Sequence, residues 1–98
     1  MSQKRLRLRA EARAELLHET EYYEMQRPGA GRNFRLAVQA AFNVIRKFPP
    51  AGAPGPAGTR KVKVKGFPFT VVYREEAAEF VIFAIAHDRK KPGYWIKP

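Results

Sequence analysis

The fold is decided by one stretch, Asn33-Phe-Arg-Leu-Ala-Val-Gln-Ala-Ala-Phe-Asn-Val-Ile-Arg-Lys-Phe-Pro-Pro50. Phe34, Val38, Ala41, Phe42, Ile45 and Phe48 recur at intervals of three and four, so they form one apolar stripe along a helix. Arg32, Arg35, Gln39, Asn43, Arg46 and Lys47 fill the remaining surface. The spacing predicts a helix that starts near Gly31 or Asn33, either of which could cap it, and stops at Phe48 before Pro49-Pro50. Such a stripe requires a partner layer to bury it.

Upstream, Ala12, Leu16 and Tyr23 repeat at helical spacing among Glu15, Glu19 and Glu24, which predicts a first helix over residues 10–26. Pro28-Gly-Ala-Gly31 is short enough to fold the two helices into an antiparallel hairpin. Before it, Leu6 and Leu8 alternate with Arg5, Arg7 and Arg9, the pattern of a short edge strand with a wet basic face.

Downstream, residues 49–58 (Pro-Pro-Ala-Gly-Ala-Pro-Gly-Pro-Ala-Gly) read as a structureless, mobile loop. Three strands are expected beyond it. Thr59–Lys65 sets Arg60, Val62 and Val64 against Lys61, Lys63 and Lys65. Phe67–Arg74 places Phe67, Phe69, Val71 and Tyr73 on one face and Val72 on the other, with Pro68 near its start. Phe80–Ala86 is apolar on both faces, as in a strand covered on both sides. The predicted order is β-α-α-β-β-β, an α+β domain with a two-helix antiparallel hairpin on a small, mainly antiparallel sheet. A chain of 98 residues fits one domain, 1–98.

Charge is unevenly placed. Of a net +10, residues 27–74 supply all, with ten basic side chains and no acid, while 1–26 (five of each sign) and 75–98 (four of each) are balanced. A block that cannot neutralise itself points to a polyanionic partner, nucleic acid or an acidic protein segment. The chain has no cysteine, which fits a reducing, cytoplasmic setting. The first residues have no long apolar run, which predicts no signal peptide, and no stretch reaches the roughly 18–20 apolar residues of a membrane span. His18 and His87 stand far apart with no clustered acid, so neither a metal site nor a cofactor is expected.

The candidate site is the end of the chain. His87, Arg89, Lys90, Lys91, Tyr94 and Trp95 follow directly on the third of these strands. His87 or Tyr94 could exchange a proton. Arg60, Lys61, Lys63 and Arg89 could stabilise phosphate charge. Tyr94 or Trp95 could stack on a base. The plainer roles are a rim hydrogen bond for His87, an aromatic clasp for Tyr94 and Trp95, and a solvated strand face for the lysines.

These parts together resemble the RelE/ParE superfamily of bacterial toxins. The resemblance rests on Ala12-Arg-Ala-Glu-Leu16, Tyr22-Tyr-Glu24, Pro28-Gly-Ala-Gly31, Phe34, Phe48-Pro49, Arg60, Phe67-Pro-Phe-Thr-Val-Val-Tyr73 and Ala86-His-Asp-Arg-Lys-Lys-Pro-Gly-Tyr-Trp95. It implies the toxin half of a plasmid-stabilising toxin–antitoxin pair, held inactive by a cognate antitoxin. ParE-like members imply inhibition of DNA gyrase by binding, with no catalytic step and with Arg60, Lys61, Lys63, His87, Arg89, Lys90, Tyr94 and Trp95 as the contact surface. RelE-like members imply metal-independent cleavage of mRNA in the ribosomal A site, for which His87, Arg89, Tyr94, Arg60 and Lys63 would supply base, acid and phosphate stabilisation. Such ribonucleases often carry an arginine early in the third strand, whereas Phe67–Val72 has no basic residue. The ParE-like reading therefore leads. A non-catalytic basic binding module or an inactive toxin remnant is the further alternative.

Overall fold

The computed structural model describes residues 4–96. Strand β1 (Arg5–Leu8) leads into helix α1 (Ala10–Gln26) and helix α2 (Ala30–Lys47). A two-residue strand β2 (Ala53–Pro54) lies between two single turns of 3₁₀ helix, followed by β3 (Arg60–Val64), β4 (Phe69–Glu75) and β5 (Glu79–His87). The five strands form one sheet in the order β1-β5-β4-β3-β2. Among the described residues only the β1–β5 pair is parallel. The fold is α+β, with the helical hairpin packed on one face of a mostly antiparallel sheet. No helix among the described residues is long and apolar enough to cross a membrane.

The stripe on α2 supplies the core: Phe34, Val38, Ala41, Phe42 and Ile45 are buried against Phe69, Val71, Tyr73, Phe80, Ile82 and Ile85. Phe48, the last residue of the predicted stripe, lies past the helix end and is exposed. At one end of the core Phe34 sits 5.1 Å from Tyr23, 5.2 Å from Phe67 and 5.1 Å from Phe69, ring centre to ring centre. The contacts with Phe67 and Phe69 are edge-to-face, a packing that adds to the burial of the rings themselves. Helix α1 contributes less, with Ala12 fully buried and Leu16 and Tyr23 packed alongside.

The hairpin closes more tightly than its sequence suggested. Helix α2 begins at Ala30, ahead of the expected caps, because Gly29 takes a left-handed φ of 89° as its N-cap. The capping group comes from α1: the Glu24 carboxylate accepts the Gly29 and Gly31 amides, each at 3.1 Å. A carboxylate there also meets the positive end of the α2 dipole. Gly31 is required for the close approach, since a Cβ at this position would lie 2.6 Å from the Thr20 carbonyl oxygen.

Residues 49–58 are not the structureless loop expected from their composition. They hold β2, which pairs with β3 through Ala53 opposite Lys61 and Pro54 opposite Arg60. The buried Tyr73 hydroxyl donates to the Pro49 carbonyl at 2.5 Å and accepts the Gly52 amide at 3.2 Å. The Arg60 guanidinium donates to the Gly52 carbonyl at 2.8 Å. Loop polar groups thus find partners on strands 8–24 residues away in sequence.

Strand β5 carries one residue too many for its partner. Val72 pairs with Ala84 and Tyr73 with Ile82, so Phe83 has no partner on β4. This bulge turns two adjacent residues to the same side. Ile82 and Ile85 both reach the core under the helices, while Phe83, Ala84 and Ala86 lie on the far face with Val72.

Tyr73→Phe is expected to lower stability by about 1–3 kcal/mol, because it strands the buried Gly52 amide and removes the donor to the half-buried Pro49 carbonyl. Chemical denaturation would measure the loss, and amide exchange at Gly52 should accelerate. Unchanged stability would mean that the loop does not depend on this hydroxyl.

Candidate functional site

The face of the sheet away from the helices is covered by the tail, residues 88–96. Trp95 is 8% exposed and packs on Val72 and Ala84. Its ring stands edge-on to Phe83 at 5.7 Å. The bulge is what provides this seat, since it sets Phe83 and Ala84 side by side on the far face.

Two acidic residues, Asp88 and Glu15, fix the tail. The Asp88 carboxylate pairs with Lys63, accepts the Thr70 hydroxyl at 2.8 Å, and its backbone amide donates to the Pro68 carbonyl at 2.9 Å. Partial burial raises the Asp88 pKa, but the hydrogen bonds from Lys63 and Thr70 outweigh it and hold the carboxyl below its ordinary range. A depressed folded-state pKa stabilises the fold above the unfolded value of about 3.9, and that contribution fades as pH falls through the folded value.

The second contact is made by Glu15. Strand β1 ends at Leu8 opposite Ile82, so among the described residues β5 has no strand neighbour on that edge at Ile85. One Glu15 oxygen accepts the Ile85 amide at 2.9 Å, and the other accepts the Tyr94 hydroxyl. Burial and the neighbouring carboxylate push the Tyr94 pKa far up, so the phenol stays protonated and donates across the neutral range. One carboxylate of α1 thereby ties a sheet edge to the tail.

A cavity of about 670 Å³ lies between the tail and strands β3 and β4. Lys61 and Lys63 line it from β3, His87 from the end of β5, and Lys90, Tyr94 and Trp95 from the tail. Lys91 and Asp88 also border it. Arg60 does not: it lies on the other face of β3 with Val62 and Val64 and is spent on loop carbonyls. Arg89 is exposed and outside the cavity lining.

Of the two groups that could move a proton, Tyr94 is engaged by Glu15 and His87 through one ring nitrogen. Nδ1 of His87 accepts the Arg89 amide at 3.0 Å, and the ring stands edge-on to Phe69 at 4.9 Å. Lys63 is a strut, bonded to Asp88 and to the Phe67 and Phe69 carbonyls at 3.2 and 3.3 Å. Lys61, Lys90 and Lys91 form no ion pair among the described residues. Lys90 stands 4.6 Å from the centre of the Tyr94 ring. No three His, Asp or Glu side chains cluster as metal ligands among the described residues.

Residues 6–92 match the family described as the ParE toxin of the type II toxin–antitoxin system, parDE. The chain belongs to the ParE toxin family. Among solved structures, one described as the chromosomal ParDE toxin–antitoxin system from P. aeruginosa is similar with a TM-score of 0.73 and 19% sequence identity, covering 87% of this chain and 96% of that one. At that identity the likeness concerns the fold. No curated protein sequence matches the chain.

Glu15 and Asp88 were not singled out from the sequence, because in a chain a glutamate amid Ala and Leu reads as helix surface and an aspartate beside three cations reads as solvated. Glu15→Ala is expected to destabilise the fold by about 1–3 kcal/mol, since it leaves the buried Ile85 amide without an acceptor. It should also speed trypsin cleavage after Arg89 and Lys90. A variant that melted and cleaved like the parent would remove Glu15 from this role.

Proposed function

We propose that this ParE-family chain is a toxin that inhibits DNA gyrase by binding, through the cavity-lining lysines and the tail, and is neutralised by a cognate antitoxin. The observation that carries the reading is the state of the proton-transfer candidates. The Tyr94 hydroxyl is committed to Glu15 and Nδ1 of His87 to the Arg89 amide, while Arg60 faces away from Lys61 and Lys63. Tyr94 and His87 line the same cavity, but with the Tyr94 proton held by Glu15 and Nδ1 of His87 held by a backbone amide, general acid–base work would fall to Nε2 of His87 alone. A rigid tail that displays Arg89, Lys90 and Lys91 suits a ligand of another protein better than a catalytic site.

The antitoxin reading is supported by charge. Most of the ten cations of residues 27–74 lack an acidic partner; Lys63 and Arg74 are the two in ion pairs among the described residues. An acidic antitoxin segment would complement them, and its association rate should fall with salt. A cytoplasmic location goes with both partners.

One observation favours a second reading: Lys61, Lys63 and His87 share one cavity. On that reading the protein cleaves mRNA on the ribosome with His87 as base.

A supercoiling assay with purified gyrase, beside programmed ribosomes, separates the two. The parent protein should inhibit supercoiling and leave A-site mRNA intact. His87→Gln keeps an acceptor for the Arg89 amide and should retain inhibition. Arg89→Glu with Lys91→Glu should weaken it about tenfold or more, since reversed charges on a contact surface repel. Clean mRNA cleavage that His87→Gln reduces by roughly 10²–10⁴-fold would instead establish the ribonuclease.

A further inference from the structure

Helix α1 is apolar on two sides. Ala12, Leu16 and Tyr23 pack into the core, yet Leu17 is 59% exposed, Tyr22 51% and Met25 86%. At about 100° per residue, Ala14, Leu17, His18, Glu21 and Met25 fall on one stripe directed away from Ala12, with Tyr22 on its flank. All six are exposed. Single exposed apolar side chains are ordinary, but three large ones aligned on one helix form a patch.

The charges around the patch select what covers it. An acidic partner is drawn to residues 27–74, which hold ten cations and no acid, and not to this stripe. A basic partner finds only Glu21 within the stripe. Of the other glutamates of α1, Glu19 is half-buried, Glu11 meets Arg9, Glu15 meets Ile85 and Tyr94, and Glu24 meets the Gly29 and Gly31 amides. The stripe is therefore nearly neutral, with one acid and one histidine a turn apart. A second copy of the same stripe matches it. A two-fold contact sets residue i opposite j and j opposite i. Two antiparallel α1 helices with the axis between residues 19 and 20 place Leu17 opposite Tyr22, Ala14 opposite Met25 and His18 opposite Glu21, each pairing twice. The small Ala14 leaves room for the long Met25. An axis at Glu21 would instead oppose two carboxylates. The chosen pairing sets no basic side chain against another.

We propose that the outward face of α1 is a self-association surface, through which two copies of the chain form a weak symmetric dimer. A single helix pair lies at the low end of specific interfaces, below about 1,200 Å² in total, where contacts are transient. The tail and its cavity lie on the opposite face of the sheet, so the dimer leaves both tails uncovered. The inference does not rest on the gyrase reading, because it concerns the isolated chain.

Sedimentation velocity of the purified full chain, from micromolar to millimolar concentration, tests it. The average sedimentation coefficient should climb from the monomer value toward that of a dimer and go no further. Raising salt from about 50 to 300 mM should strengthen association, because it screens the repulsion between two chains of net charge +10. Leu17→Glu with Met25→Glu should weaken it about tenfold or more, since charges replace paired apolar groups. Leu36→Glu, at an exposed leucine of α2, should leave it unchanged. His18→Glu should weaken it by setting a carboxylate opposite Glu21, and adding Glu21→Lys to that variant should restore it. Circular dichroism of each variant confirms that it is folded. A monomer at every concentration would overturn the proposal, as would species larger than a dimer, which mark a head-to-tail contact. Association that salt weakens, or a charge swap that fails to restore it, would overturn it equally.

Discussion

A sheet has two faces, and the helical hairpin of this chain covers one. The bulge in β5 determines what happens on the other. By leaving Phe83 without a partner, it turns Phe83 and Ala84 outward together and still returns Ile85 to the core. The outward pair, with Val72, is an apolar patch that water would otherwise wet. Trp95 covers it, and the tail follows Trp95. Polar ties then secure the tail's two ends, Asp88 to Lys63 and Thr70, and Tyr94 to Glu15. The basic segment between them is held on a rigid base, which limits the conformational entropy lost when a partner binds.

The same economy governs charge. In the chain, residues 27–74 are an unbroken basic block. In the fold, part of that block is consumed internally. Lys63 takes the one acid of the tail, Arg74 takes Glu76, and Arg60 hydrogen-bonds to loop carbonyls. Among the cations of the block without an ion pair, Arg32 and Arg35 lie on the helical side and Lys61 on the far face of the sheet, where the tail lysines Lys90 and Lys91 join it. The fold thus presents two separate basic surfaces.

Periodicity carried most of the architecture. Helix α1 lies where its Ala, Leu and Tyr spacing put it, and the stripe from Phe34 to Ile45 is the core. What was illegible is non-local. Helix α2 starts early because Glu24, on the other helix, caps it. Residues 49–58 are tethered by Tyr73 and Arg60, although their composition describes a flexible loop. The bulge was hidden because Phe80–Ala86 is apolar throughout, and a register slip within such a run leaves no mark on the pattern. In the candidate region the sequence brought the right residue types to notice but could not say which were free. Lys63 and Tyr94 prove to be struts, Arg60 faces away, and Lys61, Lys90 and Lys91 keep their charge available.

Everything said of the tail requires Trp95 to be seated on the sheet. Because it is the only tryptophan, its fluorescence reports that state without substitution or label. A buried indole against Val72, Ala84 and Phe83 should emit at blue-shifted wavelengths and resist quenching by acrylamide, and both signs should vanish on unfolding in denaturant. Emission and quenching in the native protein equal to those of free indole in water would place the tail off the sheet and contradict the account.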